Sequence, residues 1–183
     1  MLISRDRSSL LLVDVQERLA PAMSAREQME RNAGILLRAA GRLGVPVVVS
    51  EQYPRGLGHT VPALAELVPA GATIEKVHFS CAADPTLRQR LDGLRGAGRE
   101  QVIVAGIEAH VCVLQTALAL QEAGFAPAVV ADATASRTQG NHEAGLARLR
   151  QNGVEIVTTE MVLFEWLGRA GGDEFRELTT LIK

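Results

Sequence analysis

A carboxylate, an ammonium and a thiol sit near the ends of three apolar stretches of this chain: Asp14 in LLLVDVQ, Lys76 in ATIEKVHF and Cys112 in GIEAHVCVLQ. Together these groups suffice for acyl transfer. A thiol in the first turn of a helix lies near the positive end of the helix dipole, and a neighbouring ammonium favours its thiolate further. The carboxylate can take the thiol proton as general base and return it to a leaving group. Backbone amides at the helix start then face the developing oxyanion. The implied intermediate is a thioester.

Taken singly, each residue also has an ordinary role. A strand lysine can snorkel to solvent, and a lone cysteine in an apolar helix is usual core packing. Asp14 can bond nearby amides, although an unpaired carboxylate in an apolar run is costly and needs a partner. Composition singles out Lys76. Of 19 basic residues 17 are arginine, and the other lysine is the terminal Lys183. An ammonium is compact and the planar guanidinium does not imitate it, so the one internal exception marks a place that needs that shape.

For the three to act together, the fold must carry residues 14, 76 and 112 to one place. Short apolar runs predict strands at 9–15, 45–50, 72–79, 100–106, 126–132 and 154–159, most of them nearly unbroken Val/Ile/Leu/Ala, as expected of parallel strands covered on both faces. Helical segments alternate with them. Ser24 and Glu27 read as a capping box ahead of the stripe Met29, Ala33, Leu36, Leu37, Ala40 and Leu43, which Gly44 and Pro46 stop. Asp84 starts a helix through Leu87, Leu91 and Leu94. Residues 110–123 are apolar almost all round and predict a buried helix ending at Gly124, while 139–152 and 173–182 are amphipathic.

The expected fold is a single α/β domain over residues 1–183: a doubly wound, Rossmann-like, six-stranded parallel sheet with helices on both faces. Right-handed crossovers bring the carboxyl ends of such strands to one edge, where ligands bind. The loop EQYPRGLGHTVP, residues 51–62, belongs at that edge, either as a cover over the site or as a plain connection.

Composition narrows the partners. Hydrophobic content of 47% over 183 residues supports one sizeable core, and a formal charge of -2 with a pI near 6.1 argues against a nucleic-acid surface. The start MLISRDRSSLLLVDV reads as neither signal peptide nor membrane span. Two cysteines make no disulfide framework, which suits a cytoplasmic protein acting on a small molecule. Pairing of Cys81 with Cys112 stays open. A thiol redox protein is one alternative, although C-x-x-C is absent; a binding module on the same fold is another, although no phosphate-binding glycine motif follows any strand. His59, His78, His110 and His142 lack close metal-ligand spacing.

LLLVDVQERLAP, SEQYPRGLGHTVPAL, EKVHFSC, GIEAHVCVLQTALAL and VVADATASR resemble the isochorismatase-like cysteine hydrolase superfamily, and most of all its small isochorismatase domain-containing members. The resemblance covers nearly the whole chain. It implies that Asp14, Lys76 and Cys112 are the catalytic triad, that the Ile107–Glu108 peptide is cis without proline, and that the amides of Glu108 and Cys112 form the oxyanion hole. It places Gln16, Gln52, Tyr53, Phe79 and His110 along the substrate pocket, and it implies a homo-oligomer, dimer or larger.

Two departures bear on substrate and cofactor. Metal-binding nicotinamidases of the superfamily carry Asp-x-His after the second strand, where this chain reads SEQYPRG, so no metal or other cofactor is expected. Isochorismatases that cleave a vinyl ether lack the nucleophilic cysteine. Cys112 therefore points to an amide, carbamoyl or related acyl substrate.

Overall fold

The stretch SSLLLV has no polar face, and the structure, a computed structural model that describes residues 1–182, buries all six residues in the middle of a sheet. This is β1 (Ser8–Val13). It is followed along the chain by β2 (Val47–Gln52), β3 (Thr73–Lys76), β4 (Gln101–Ile107), β5 (Ala126–Ala135) and β6 (Glu155–Val157). All pairings are parallel and the order is β3-β2-β1-β4-β5-β6. The expected doubly wound α/β sheet is borne out. Strand order reverses between β1 and β4, which makes the gap beyond their carboxyl ends the natural ligand site.

Among the described residues the eight α-helices are α1 (Arg26–Leu43), α2 (Pro54–Leu57), α3 (Pro62–Ala65), α4 (Pro85–Gly96), α5 (Leu114–Glu122), α6 (Gln139–Gln151), α7 (Thr159–Leu167) and α8 (Asp173–Thr179). Alternate residues of β1 feed two separate cores. Leu10 and Leu12 pack with Leu36 of α1, Trp166 of α7 and Leu178 of α8, while Leu11 and Val13 pack with Leu91 of α4, Leu120 of α5 and Leu149 of α6. Burial on both faces is why β1 carries no alternating polar residues.

Local signals decided most helix ends. Asp84 caps α4 by accepting from the Thr86 and Leu87 amides at 3.0 and 3.1 Å, and Gly44 ends α1 in the left-handed region. The capping box at Ser24 is a correction. Ala25 occupies the cap position, and Ser24 instead donates from its amide and hydroxyl to the Ser136 carbonyl, tying the start of α1 to the loop after β5. The third strand is also shorter than expected. It stops at Lys76, whose ammonium donates to the His78 carbonyl two residues on and bends the chain away from the sheet. α7, capped by Thr158, the single turn α2 inside the 51–62 region and the single turn α3 at its end were not anticipated.

Candidate active site

At the carboxyl end of β1 the chain turns abruptly. Asp14 has φ +52°, an uncommon conformation for a residue with a Cβ, and this carries its carboxylate out of the strand alternation while the residue stays wholly buried. Across the switch point, Gly106 of β4 adopts φ +117° and abuts Val13, where any Cβ would overlap the Val13 carbonyl oxygen. Glycine is required there by both conformation and space. One residue on, the Ile107–Glu108 peptide is cis.

The turn that carries Cys112 follows directly. Ala109–Val113 forms one π-helical turn, in which the Glu108 carbonyl accepts from the Val111 and Val113 amides at 3.0 and 3.2 Å, before α5 begins at Leu114. Such turns recur at functional sites. Gly145 of α6 packs on the His110 backbone with a built Cβ only 3.0 Å from its Cα, so a side chain at that position would push against the turn. The turn is thus held from below by β4 and from the side by α6.

The carboxylate, ammonium and thiol meet here. Lys76 Nζ lies 2.6 Å from Asp14 Oδ2, with both side chains wholly removed from solvent. Its other two protons go to Gln52 Oε1 at 2.7 Å and the His78 carbonyl at 3.1 Å. The ammonium is therefore fully engaged, and it acts on Cys112 through space and through Asp14. Cys112, 8% exposed, is near enough to the same carboxylate for the two groups to shift each other's proton affinity. Burial raises the Asp14 carboxyl above the ordinary aspartate range, and Lys76, the Ser50 hydroxyl and Cys112 oppose that rise. Burial first, and then the Asp14 charge, push the Cys112 thiol well above the ordinary thiol range, with Lys76 opposing. This corrects the expectation of a thiolate favoured by helix dipole and ammonium. The resting thiol keeps its proton, and a base has to remove it.

The other predicted residues divide into braces and open groups. Gln16 is wholly buried; its carboxamide donates to the Gln52 and Gly58 carbonyls at 3.0 and 2.7 Å and accepts from the Gln52 amide at 2.7 Å. That spends both of its N–H donors and makes it the clamp on the 51–62 segment. Gln52 spends its side chain on Lys76 and on the Val77 carbonyl. Tyr53 and Phe79, each 55% exposed, are open to solvent. Tyr53 lines a shallow cavity of about 370 Å³ in which Lys76 forms part of the wall with Arg55, Glu75, Val77 and Asp84. His110 is half-buried, its Nδ1 3.0 Å from Ser136 Oγ, beside the Glu108 carboxylate that holds Arg137 at 3.0 Å. Ser50, whose hydroxyl lies 2.7 Å from Asp14 Oδ1, was missed. It sits inside the apolar strand VVVSEQ, and a buried serine there was the available signal.

Cys81 and Cys112 are both free thiols. Among the described residues no group of three or more His, Cys, Asp and Glu side chains is arranged to hold a metal ion, and no helix is long and apolar enough to cross a membrane. His59 pairs instead with Glu51, at 2.9 Å.

Comparison with known proteins agrees with this fold. The chain is 36% identical over 178 residues to mouse isochorismatase domain-containing protein 2A, covering 97% of this chain and 84% of that protein. It is 39% identical over 176 residues to isochorismatase domain-containing protein 2 of Pongo abelii, covering 96% and 83%. Among solved structures, one described as a MAR1 ribonuclease from Caenorhabditis elegans superposes with a TM-score of 0.91 at 34% identity, over 100% of this chain and 92% of that one. The family model for the isochorismatase domain matches residues 8–161, from the first residue of β1 into α7, and the chain belongs to the isochorismatase domain family.

Proposed function

We propose that this protein is a cysteine hydrolase that cleaves a small amide, carbamoyl compound or related acyl substrate through a thioester on Cys112. The observation that carries this reading is one buried carboxylate, Asp14, that is paired with the Lys76 ammonium and lies near enough to the Cys112 thiol for each to shift the other's proton affinity, at the switch point of the sheet. A protonated thiol beside a carboxylate of raised pKa is a nucleophile with its base in place.

The Cys112 thiol proton passes to Asp14 as the sulfur attacks the substrate carbonyl carbon. The negative charge moves to the carbonyl oxygen, where the amides of Glu108 and Cys112 are the donors that fit. Collapse of this intermediate breaks the bond to the leaving group, which takes the proton from Asp14. Water then attacks the thioester carbonyl, gives its proton to Asp14 and releases the acid, and the sulfur recovers that proton. Lys76 holds the carboxylate in place and keeps a positive charge beside it through both halves.

A screen of primary amides, carbamoyl compounds, ureido acids, a vinyl ether and a short RNA, with Cys112→Ala as the blank, tests the reading. Turnover of an acyl compound that Cys112→Ala abolishes is the expected result. The RNA arm addresses the name of the C. elegans relative. Cleavage of RNA undiminished in Cys112→Ala, without acyl turnover, would replace the proposal with a phosphodiester activity at another site.

A further inference from the structure

The proposed chemistry leaves Ser50 without a task, although it grips Asp14 at both ends. The Asp14 amide donates to the Ser50 carbonyl at 3.1 Å, and the Ser50 hydroxyl, wholly buried, donates to Asp14 Oδ1 at 2.7 Å. On its far side the hydroxyl oxygen meets Cys81 Sγ at 3.4 Å. Burial, followed by the Asp14 charge, pushes the Cys81 thiol up to about 11, so at neutral pH it keeps its proton and donates. A hydroxyl has a single proton to give. With the Cys81 S–H filling a lone pair on Ser50 Oγ, that proton is directed to Asp14.

Both oxygens of the base are thus anchored by donors, Oδ2 by Lys76 at 2.6 Å and Oδ1 by Ser50. The carboxylate cannot turn about its Cβ–Cγ bond without breaking one of these charge-assisted bonds. We propose that Ser50 is a positioning residue for the general base: it locks the Asp14 carboxylate in the plane that receives the Cys112 proton. This rests on the reading of Asp14 as base to Cys112. It goes beyond that reading in assigning the second anchor.

The test needs no substrate. The rate of Cys112 alkylation by iodoacetamide is followed by peptide mass spectrometry from acid to alkaline pH in the full chain, for wild type, Asp14→Asn, Ser50→Ala and Ser50→Thr. Wild type is expected to show a step in rate as Asp14 loses its proton, absent in Asp14→Asn. In Ser50→Ala the charged carboxylate loses a donor, so the step moves to higher pH by about one unit, and the rate below the step falls about tenfold. Ser50→Thr, which keeps the hydroxyl, brings the step back toward wild type. If Ser50→Ala does not fold, Ser50→Cys serves, with a smaller upward shift expected from its weaker donor. A step unmoved in a folded Ser50→Ala or Ser50→Cys protein would make Ser50 a packing residue and overturn the proposal. Identical profiles in wild type and Asp14→Asn would instead overturn Asp14 as base, and the role of Ser50 with it.

Discussion

The ammonium of Lys76 and the carboxylate of Asp14 are 2.6 Å apart and neither side chain reaches solvent, although their strands are separated in the sheet by the whole of β2. A pair so enclosed is intolerant of change in either partner. Removing one leaves an uncompensated buried charge, which costs about 3–5 kcal/mol, whereas an exposed pair contributes little. Lys76→Met should lower stability by that order in urea unfolding. Lys76→Arg keeps the charge but brings a planar group too large for the space between Asp14, Gln52 and the His78 carbonyl. It should fold and lose at least about tenfold in kcat/KM, a barrier increase of roughly 1.4 kcal/mol. Wild-type rates in the arginine variant would make the lysine ordinary.

Asp14 has to be ionised to accept the Cys112 proton, and burial raises its pKa. Activity should therefore rise with pH through a limb lying above the ordinary aspartate value of about 3.9. Because the Cys112 thiol is raised as well, that limb reports the carboxyl and not formation of free thiolate. Asp14→Asn should keep the fold and lose about 10²- to 10⁴-fold in kcat. A limb at the ordinary aspartate position, or full activity in a folded asparagine variant, would remove Asp14 from the mechanism.

Much of this was legible in the sequence, and the reason is physical. Strands buried on both faces must be apolar throughout, so an Asp, a Lys or a Ser within such a run announces a partner. Asp14 was read that way, Lys76 was singled out as the one internal lysine, and Ser50, in VVVSEQ, was not read at all, because a serine is cheap enough to bury that it stands out less. The braces were beyond reach. Gln16 and Gln52 sit beside the catalytic motifs in sequence, and only the fold shows that their amides are consumed by the backbone of the 51–62 segment and by Lys76. The Ser24–Glu27 box failed for a related reason: the Ser136 carbonyl, more than a hundred residues away, competes for the serine that local pattern assigned to α1.

The approach of β1 to β4 beside the site depends on Gly106. Alanine there would have to adopt φ +117° and would overlap the Val13 carbonyl oxygen, one residue before Asp14. Gly106→Ala should cost several kcal/mol, about 3 or more, since neither strain nor overlap can relax without parting the two central strands. Thermal unfolding measures this directly. A variant within about 0.5 kcal/mol of wild type would contradict the close approach.

The 51–62 segment has its own pH signature. Glu51, buried at the end of β2, accepts from the Thr60 amide and hydroxyl at 2.7 and 2.8 Å and from His59 at 2.9 Å. Burial alone raises its carboxyl, but these bonds more than offset that and hold it below the ordinary glutamate range, while Glu51 raises the His59 ring. The glutamate contribution is complete above its unfolded value of about 4.3 and is lost as pH falls through the lower folded value; the histidine contribution is complete below about 6.5 and is lost as pH rises through the higher folded value. Glu51→Ala, which strands the Thr60 donors, should cost about 1–3 kcal/mol, with the largest difference from wild type between about pH 4.3 and 6.5. Melting curves across pH that run parallel for the two proteins would count against the tie.

The central claim is that Cys112 becomes acylated, and a single-turnover experiment tests it most directly. Wild-type enzyme in excess is mixed with the best acyl substrate found, quenched in acid at successive times and digested, and the Cys112 peptide is weighed. The account predicts an acyl adduct on Cys112 that rises as the leaving group appears and decays as the acid forms. Product formed with the Cys112 peptide unmodified at every time, or with the acyl group on another residue, would contradict it.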